Sequence, residues 1–173
     1  MVSDIHVRTA SPQDASAIAA IYAPHVLNGT ASFEIEEPNA EEILRRRAAV
    51  LELGLPYLVA DINGEVVGYA YASRFRPRSA YRYTVENSVY VGEPFQRRGV
   101  ARLLIRCLIE KCAKAGIREM IAVVGNPAEN ISSVRLHRAL GFEDVGVLRR
   151  VGEKFGRTLD VLIMQKSLVL SKT

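Results

Sequence analysis

The stretch Gln96-Arg97-Arg98-Gly99-Val100-Ala101, followed by Arg102, has the residue types and spacing to hold an anion. It lies where an apolar run, Ser88-Val89-Tyr90-Val91, hands over to an amphipathic segment from about Val100 to Ala115. A strand that turns abruptly into a helix leaves the first-turn N–H groups unpaired at the positive end of the helix dipole, where an anion is favoured. Gly99 lets a phosphate approach the backbone, because no Cβ stands in the way. Arg97, Arg98 and Arg102 surround the same turn, and a guanidinium donates two hydrogen bonds to a phosphate at once. The corner reads as a pyrophosphate cradle.

Glu86 is the candidate for proton transfer. Alternation along Thr84 to Val91 sends Val85, Val89 and Val91 to one face and Thr84, Glu86, Ser88 and Tyr90 to the other, a polar face leading toward the cradle. A carboxylate there takes a proton from an incoming ammonium if its surroundings raise its pKa toward neutrality; otherwise it is a strand carboxylate paired with Arg82 or another cation. Arg76, Arg78 and Arg82 either bind the anionic part of a substrate at a cleft or stand in solvent. His137 either protonates a leaving thiolate or packs, since a thiol of pKa about 8.5 needs little help to leave. Phe33, alone in the polar segment Asn28 to Glu34, either plugs the core or lines a cleft.

These residues need a scaffold, and its elements follow from local signals. Ile5-His6-Val7-Arg8 alternates as a strand; Ser11-Pro12-Gln13-Asp14 then caps a helix from Pro12 to about Val26 with Ile18, Ile21, Tyr22 and Val26 on one stripe. His6 and His25 read as surface or packed side chains. Asn39 and Glu42 open a second helix, Ala40 to about Leu53, in which Arg45-Arg46-Arg47 fan too widely to form one site and read as a solvated face. Asn63-Gly64 between two apolar runs predicts a type I′ hairpin, followed by a loop at Phe75 to Tyr81 and a strand from Tyr83 to Val91. After the helix that ends at Gly116, Met120 to Val124 is apolar enough for a strand covered on both faces. Asn130 caps a short helix through Leu140, and two strands, Glu143 to Val151 and Thr158 to Leu168, form a terminal hairpin joined by Glu153 to Arg157. The sum is an α/β (α+β) layer fold, a mostly antiparallel sheet with helices on its faces.

Composition narrows the function classes. With 173 residues and 49% hydrophobic content, the chain suits a single domain over 1–173. Its 23 basic and 19 acidic residues, net +4, favour an acidic metabolite over nucleic acid. Cys107 and Cys112 read as reduced, packed thiols, and no His/Cys spacing suggests a metal. No window approaches the roughly 20 apolar residues of a membrane span, so no membrane partner and a cytoplasmic location are expected.

Two motifs in order give a resemblance. Gln96 to Ala101 matches the Q/R-x-x-G-x-G/A pyrophosphate motif of the GNAT N-acetyltransferases, and Asn130, Ser133, Leu136-His137 and Gly141-Phe142 resemble their later N-x-x-S/A-x-x-L-Y/H-x-x-x-G-F signature. Tyr83 to Val91 and Gly152 to Asp160 look like the branch that acetylates phosphinothricin and methionine sulfoximine. The resemblance implies direct transfer of acetyl from acetyl-CoA to a small amino-acid-like amine in a ternary complex. By that resemblance Val89, Tyr90 and Val91 pair with the pantetheine arm, Arg97, Arg98, Gly99, Val100, Ala101 and Arg102 hold the pyrophosphate, and Asn130 and Ser133 contact the cofactor. Glu86 falls on the branch's base, Arg76 and Arg78 on the loop facing the acidic end of the substrate, with Tyr81 and Phe33 as walls. His137 stands where many GNAT enzymes have a tyrosine acid. The resemblance also implies a homodimer in which the terminal hairpin contributes to a neighbour's site. The alternatives are a GNAT acting on a protein N-terminus or an aminoglycoside, and a non-catalytic CoA-sensing module.

Overall fold

The computed structural model describes residues 5–169; the ends of the expected domain, 1–4 and 170–173, lie outside the described residues. Seven strands, β1 His6–Thr9, β2 Tyr57–Ile62, β3 Glu65–Arg74, β4 Thr84–Val91, β5 Glu119–Gly125, β6 Glu143–Lys154 and β7 Arg157–Ser167, form one sheet. Their order is β1-β2-β3-β4-β5-β7-β6, and every neighbouring pair is antiparallel except β4 with β5. Four helices, α1 Ala15–Leu27, α2 Ala40–Glu52, α3 Val100–Lys114 and α4 Ile131–Ala139, pack on it. The mixed, mostly antiparallel layer fold expected from the sequence is the one observed.

Local chemistry accounts for the joints. Asn63 and Gly64 both take positive φ, 54° and 86°, the pair of values a type I′ turn needs, and join β2 to β3. Asn39 Oδ1 accepts from Glu42 N at 2.9 Å and starts α2. Ser11 and Asp14 form the reciprocal cap that their spacing predicts. The turn they close, Pro12–Asp14, is a 3-10 turn, however, so α1 begins at Ala15 rather than at Pro12. The terminal hairpin is tighter than expected: β6 runs on to Lys154, and only Phe155 and Gly156, at φ 53° and 67°, make its turn.

The sheet is covered on two sides. α1, with α2 beside it, lies over the face carrying Tyr57, Tyr69 and Tyr71, whose rings stack at 4.9 to 6.3 Å. α3 lies on the other face and crosses β3 so closely that a Cβ at Gly68 would sit 3.1 Å from Val100 Cγ1. This contact fixes where α3 starts. The arginine triplet is a correction to the solvated-face expectation. Arg45 is exposed, but Arg46 is half-buried against Glu34 and Glu42, and Arg47 Nε donates to Ala10 O at 2.8 Å. Consecutive helical side chains step by about 100°, so on a helix packed against a loop some of the three must turn inward.

Candidate active site

The parallel pair is short. Thr84 to Asn87 of β4 align with Glu119 to Ala122 of β5, and beyond that register the two strands part. Ser88 to Val91 remain paired to β3, and Val123 to Gly125 to β7, so the sheet stays intact on both sides of the opening. A cavity of about 410 Å³ fills the gap, lined by Glu86 to Tyr90 from β4 and Ala122 to Gly125 from β5. Ser32, Phe33 and Glu34 of the α1–α2 loop, Tyr22, Tyr71, Asn130, Ser133 and His137 complete its wall.

Glu86 is half-buried, and among the described residues it makes no ion pair. The pairing with Arg82 considered from sequence is therefore absent. Burial alone raises its pKa above the ordinary glutamate value. Such a carboxylate holds a proton more readily than an exposed one, as a base for an ammonium must.

At the far end of β4 the chain passes through a 3-10 turn, Glu93–Phe95, and enters α3 at Gly99, whose φ of 86° is left-handed. No atom stands within 4 Å of where a Cβ would be, so the approach to this backbone is open. Leu103 N donates to Gly99 O at 3.0 Å, and the N–H groups ahead of it are left facing out of the first turn. Arg97, Arg98 and Arg102 are exposed around it, with Arg98 over the Phe95 ring at 5.5 Å. Free N–H donors, an open glycine and three cations fit a pyrophosphate.

Asn130 stands at the N-cap of α4, but its side chain does not cap the helix. Instead Asn130 Nδ2 is turned inward and donates to Gly125 O at 2.7 Å, to Asn126 O at 3.2 Å and to Thr30 Oγ1 at 3.2 Å. His137 is buried between Ser133 O, 2.8 Å from Nδ1, and Asn87 Oδ1, 3.1 Å from Nε2. Asn87 Nδ2 donates to Ile121 O at 3.2 Å, which holds the amide in this orientation. Burial lowers the pKa of His137 and outweighs the Ser133 carbonyl, which acts to raise it.

The structure thus brings Phe33, Glu86, Val89, Tyr90, Asn130 and Ser133 together around one cavity. Phe33 lines the cleft rather than plugging the core. Val91 lies at the end of β4, its carbonyl within 3.2 Å of His25 Nε2 and 3.5 Å of Gln96 Nε2. Arg76, Arg78 and Tyr81 occupy the exposed loop after β3, outside the cavity wall. Phe75 sits between them, under Arg76 at 5.2 Å and edge-on to Tyr81 at 5.7 Å. Among the described residues neither Arg76 nor Arg78 makes an ion pair.

One polar cluster in the wall escaped the sequence reading. Tyr22 Oη donates to Glu34 Oε1 at 2.9 Å and therefore accepts from Ser32 Oγ at 2.6 Å. Glu34 N in turn donates to Ser32 Oγ at 3.1 Å, and Arg46 grips the Glu34 carboxylate with two N–H groups at 2.7 and 3.0 Å. Burial pushes the Tyr22 hydroxyl up to about 12, so it remains a donor. For Glu34, burial acts upward but the bonds from Arg46 and Tyr22 prevail, and its pKa ends lower than usual. The only sequence signal was the opposite charge of Glu34 and Arg46.

A sheet opened between two parallel strands, with an anion cradle at one end and a half-buried carboxylate in the opening, is an arrangement that suits the acyl-CoA-dependent transfer implied by the sequence resemblance. Comparison with known proteins gives the family: the acetyltransferase (GNAT) domain matches residues 7–163. A phosphinothricin N-acetyltransferase of Alcaligenes faecalis is 49% identical over 162 residues, 94% of this chain and 82% of the relative. An L-methionine sulfoximine/L-methionine sulfone acetyltransferase of Salmonella typhimurium is 38% identical over 162 residues, 94% of each chain. Among solved structures, a GNAT superfamily phosphinothricin acetyltransferase from Sinorhizobium meliloti in complex with acetyl-CoA superposes with a TM-score of 0.90 at 42% identity, covering 94% of this chain and 88% of that one. The chain belongs to the GNAT acetyltransferase family.

Proposed function

We propose that this chain is an N-acetyltransferase that moves the acetyl group of acetyl-CoA onto the amino group of a small amino-acid-like acceptor, of which phosphinothricin and methionine sulfoximine or sulfone are representatives. The observation that carries the reading is Glu86, a half-buried carboxylate at the gap between β4 and β5 that makes no ion pair among the described residues. Relatives named for these substrates, each matching 94% of the chain, support the choice of acceptor.

Acetyl-CoA supplies an acyl carbon already activated as a thioester. The chain's own part begins at α3, where the free N–H groups after Gly99, with Arg97, Arg98 and Arg102, are assigned to the pyrophosphate. The stretch Val89 to Val91, paired to β3 but without a strand partner on the β5 side, is assigned to the pantetheine arm, and Asn130 and Ser133 to the wall beside it. Glu86 takes the proton that the acceptor's ammonium must lose before its nitrogen can attack. The C–S bond then breaks as the C–N bond forms, the second proton lost by the nitrogen ends on the sulfur, and CoA leaves as the thiol. His137, with its ring nitrogens directed at Ser133 O and Asn87 Oδ1, is assigned to shaping the wall through Asn87. Arg76 and Arg78, which make no ion pair among the described residues, are assigned to the acidic end of the acceptor, with Tyr81 and Phe33 as walls.

Free thiols at Cys107 and Cys112 suit a reducing, cytoplasmic compartment. A homodimer is part of the same reading, supported by the outer strand β6, where Val145, Val147, Leu148 and Val151 are all exposed at the sheet's edge. Free-thiol release from acetyl-CoA tests the assignment. Release with phosphinothricin or methionine sulfoximine, and none with a peptide N-terminus or an aminoglycoside, is the expected pattern. Tight acetyl-CoA binding without release for any amine would instead mark a CoA-sensing module.

A further inference from the structure

Lys154, the last residue of β6, is buried and makes no ion pair among the described residues. An ammonium taken out of water is costly unless its donors are satisfied. Here two backbone carbonyls do so: Lys154 Nζ donates to Gly29 O at 2.9 Å and to Ser32 O at 2.8 Å. Both belong to the loop after α1, more than 120 residues earlier in the chain. Burial lowers the pKa of Lys154, opposed by the charge of Glu34.

The residue after Ser32 is Phe33, and its ring lies on a surface that only glycine provides. A Cβ at Gly152 or at Gly125 would fall within the contact radius of its ring carbons. Gly152 is two residues from Lys154 on β6, and Gly125 ends β5. The hairpin strand that holds the loop backbone thus also carries half of the shelf under the aromatic ring. Lys154 is not in the cavity wall, whereas Phe33 is, so any influence on the acceptor passes through Phe33.

We propose that Lys154 is a positioning residue for the acceptor side of the cavity: by holding the carbonyls of Gly29 and Ser32 it keeps Phe33 on the Gly125–Gly152 shelf, where the ring forms the wall against the acceptor. The proposal rests on the acetyltransferase reading above only for the identity of what Phe33 faces. The ring of Tyr22, Ser32 and Glu34 braces the same loop from α1, and Arg46 from α2. Asn126 and Asn130 hold Thr30 from beyond β5, and Lys154 is the tether from β6.

Lys154→Met keeps the length of the side chain and removes its donors. Amide hydrogen exchange, which needs no substrate, is expected to quicken about tenfold at residues 30–34 while α3 and β4 are unchanged. In steady-state kinetics the acceptor KM is expected to rise about tenfold, with the acetyl-CoA KM within about twofold of wild type. Phe33→Ala should reproduce that split, and the double variant should cost no more than Phe33→Ala alone, because both changes remove one function. Unchanged exchange at 30–34 overturns the proposal, as do equal shifts of both KM values or full additivity of the two variants. If Lys154→Met does not fold, Lys154→Gln carries the same readouts. Should the wild type release thiol with no amine, the acetyltransferase reading falls, and the exchange experiment still decides whether Lys154 holds the loop.

Discussion

Asn130 Nδ2 lies 3.2 Å from Thr30 Oγ1 and 2.7 Å from Gly125 O, so one amide joins the start of α4 to the end of β5 and to a loop a hundred residues earlier. The same loop carries Phe33. The walls proposed above for the cofactor and for the acceptor are therefore joined through one side chain. Asn130→Ala removes the side-chain donor to Gly125 O and should cost about 1–3 kcal/mol. A lower denaturation midpoint with unchanged slope is the expected result. No change in midpoint would mean that water replaces the amide.

Glu86 gives a pH prediction. Its folded pKa is raised by burial above the ordinary 4.5, so activity should fall as the pH drops through a value higher than 4.5, where the base becomes protonated. Glu86→Gln should lower kcat about 100-fold or more and abolish that acid limb. A limb that persists in Glu86→Gln belongs to another group. The sign for stability is opposite: the protonated form is preferred in the fold, so Glu86 itself stabilises the protein below that pKa and not above it.

Asp14 works the other way. Arg8 donates to it at 2.8 and 2.9 Å, and these bonds bring its pKa down to about 2 from 3.8. A depressed acid stabilises the fold above its unfolded value, and that contribution is lost as the pH falls from about 3.8 through about 2. With Arg8 one-third exposed, solvent screening reduces the effect, and Asp14→Asn should cost about 1–2 kcal/mol at neutral pH. The difference between the two proteins should shrink toward pH 2, as followed by thermal unfolding at each pH.

Gly99→Ala tests the cradle. The position has a φ of 86° and open space around it, so the penalty is backbone strain of about 1–2 kcal/mol without any clash. If the turn relaxes to relieve the strain, its N–H groups turn away from the bound phosphate. An acetyl-CoA KM raised about tenfold, with the acceptor KM unmoved, is expected. Equal changes in both would place the effect elsewhere.

How much of this could be read from the chain depended on sequence distance. Asn63-Gly64 announces its turn because two adjacent residues settle the backbone, and Gly99 announces the helix start for the same reason. Glu86 was legible as a face of a strand, though its lack of a partner was not. The cluster of Tyr22, Ser32, Glu34 and Arg46 spans an irregular loop with no periodicity to align it, and Lys154 meets Gly29 across 125 residues. Asn130 misled because an N-cap asparagine usually bonds its own helix; only the nearness of Thr30 and Gly125 turned it inward. Arg46 misled because a charged triplet on a helix usually faces water, and nothing local places Glu34 above it.

The parting of β4 from β5 leaves a place in the sheet that the polypeptide does not fill. A molecule lying there along the β5-facing edge of Val89 to Val91 would act as a temporary extra strand, and folding and saturation would become linked quantities. At a concentration 100 times its Kd, such a ligand adds about 2.7 kcal/mol to the stability of the native state. The supply of acyl donor would then govern how long the protein survives as well as how fast it works.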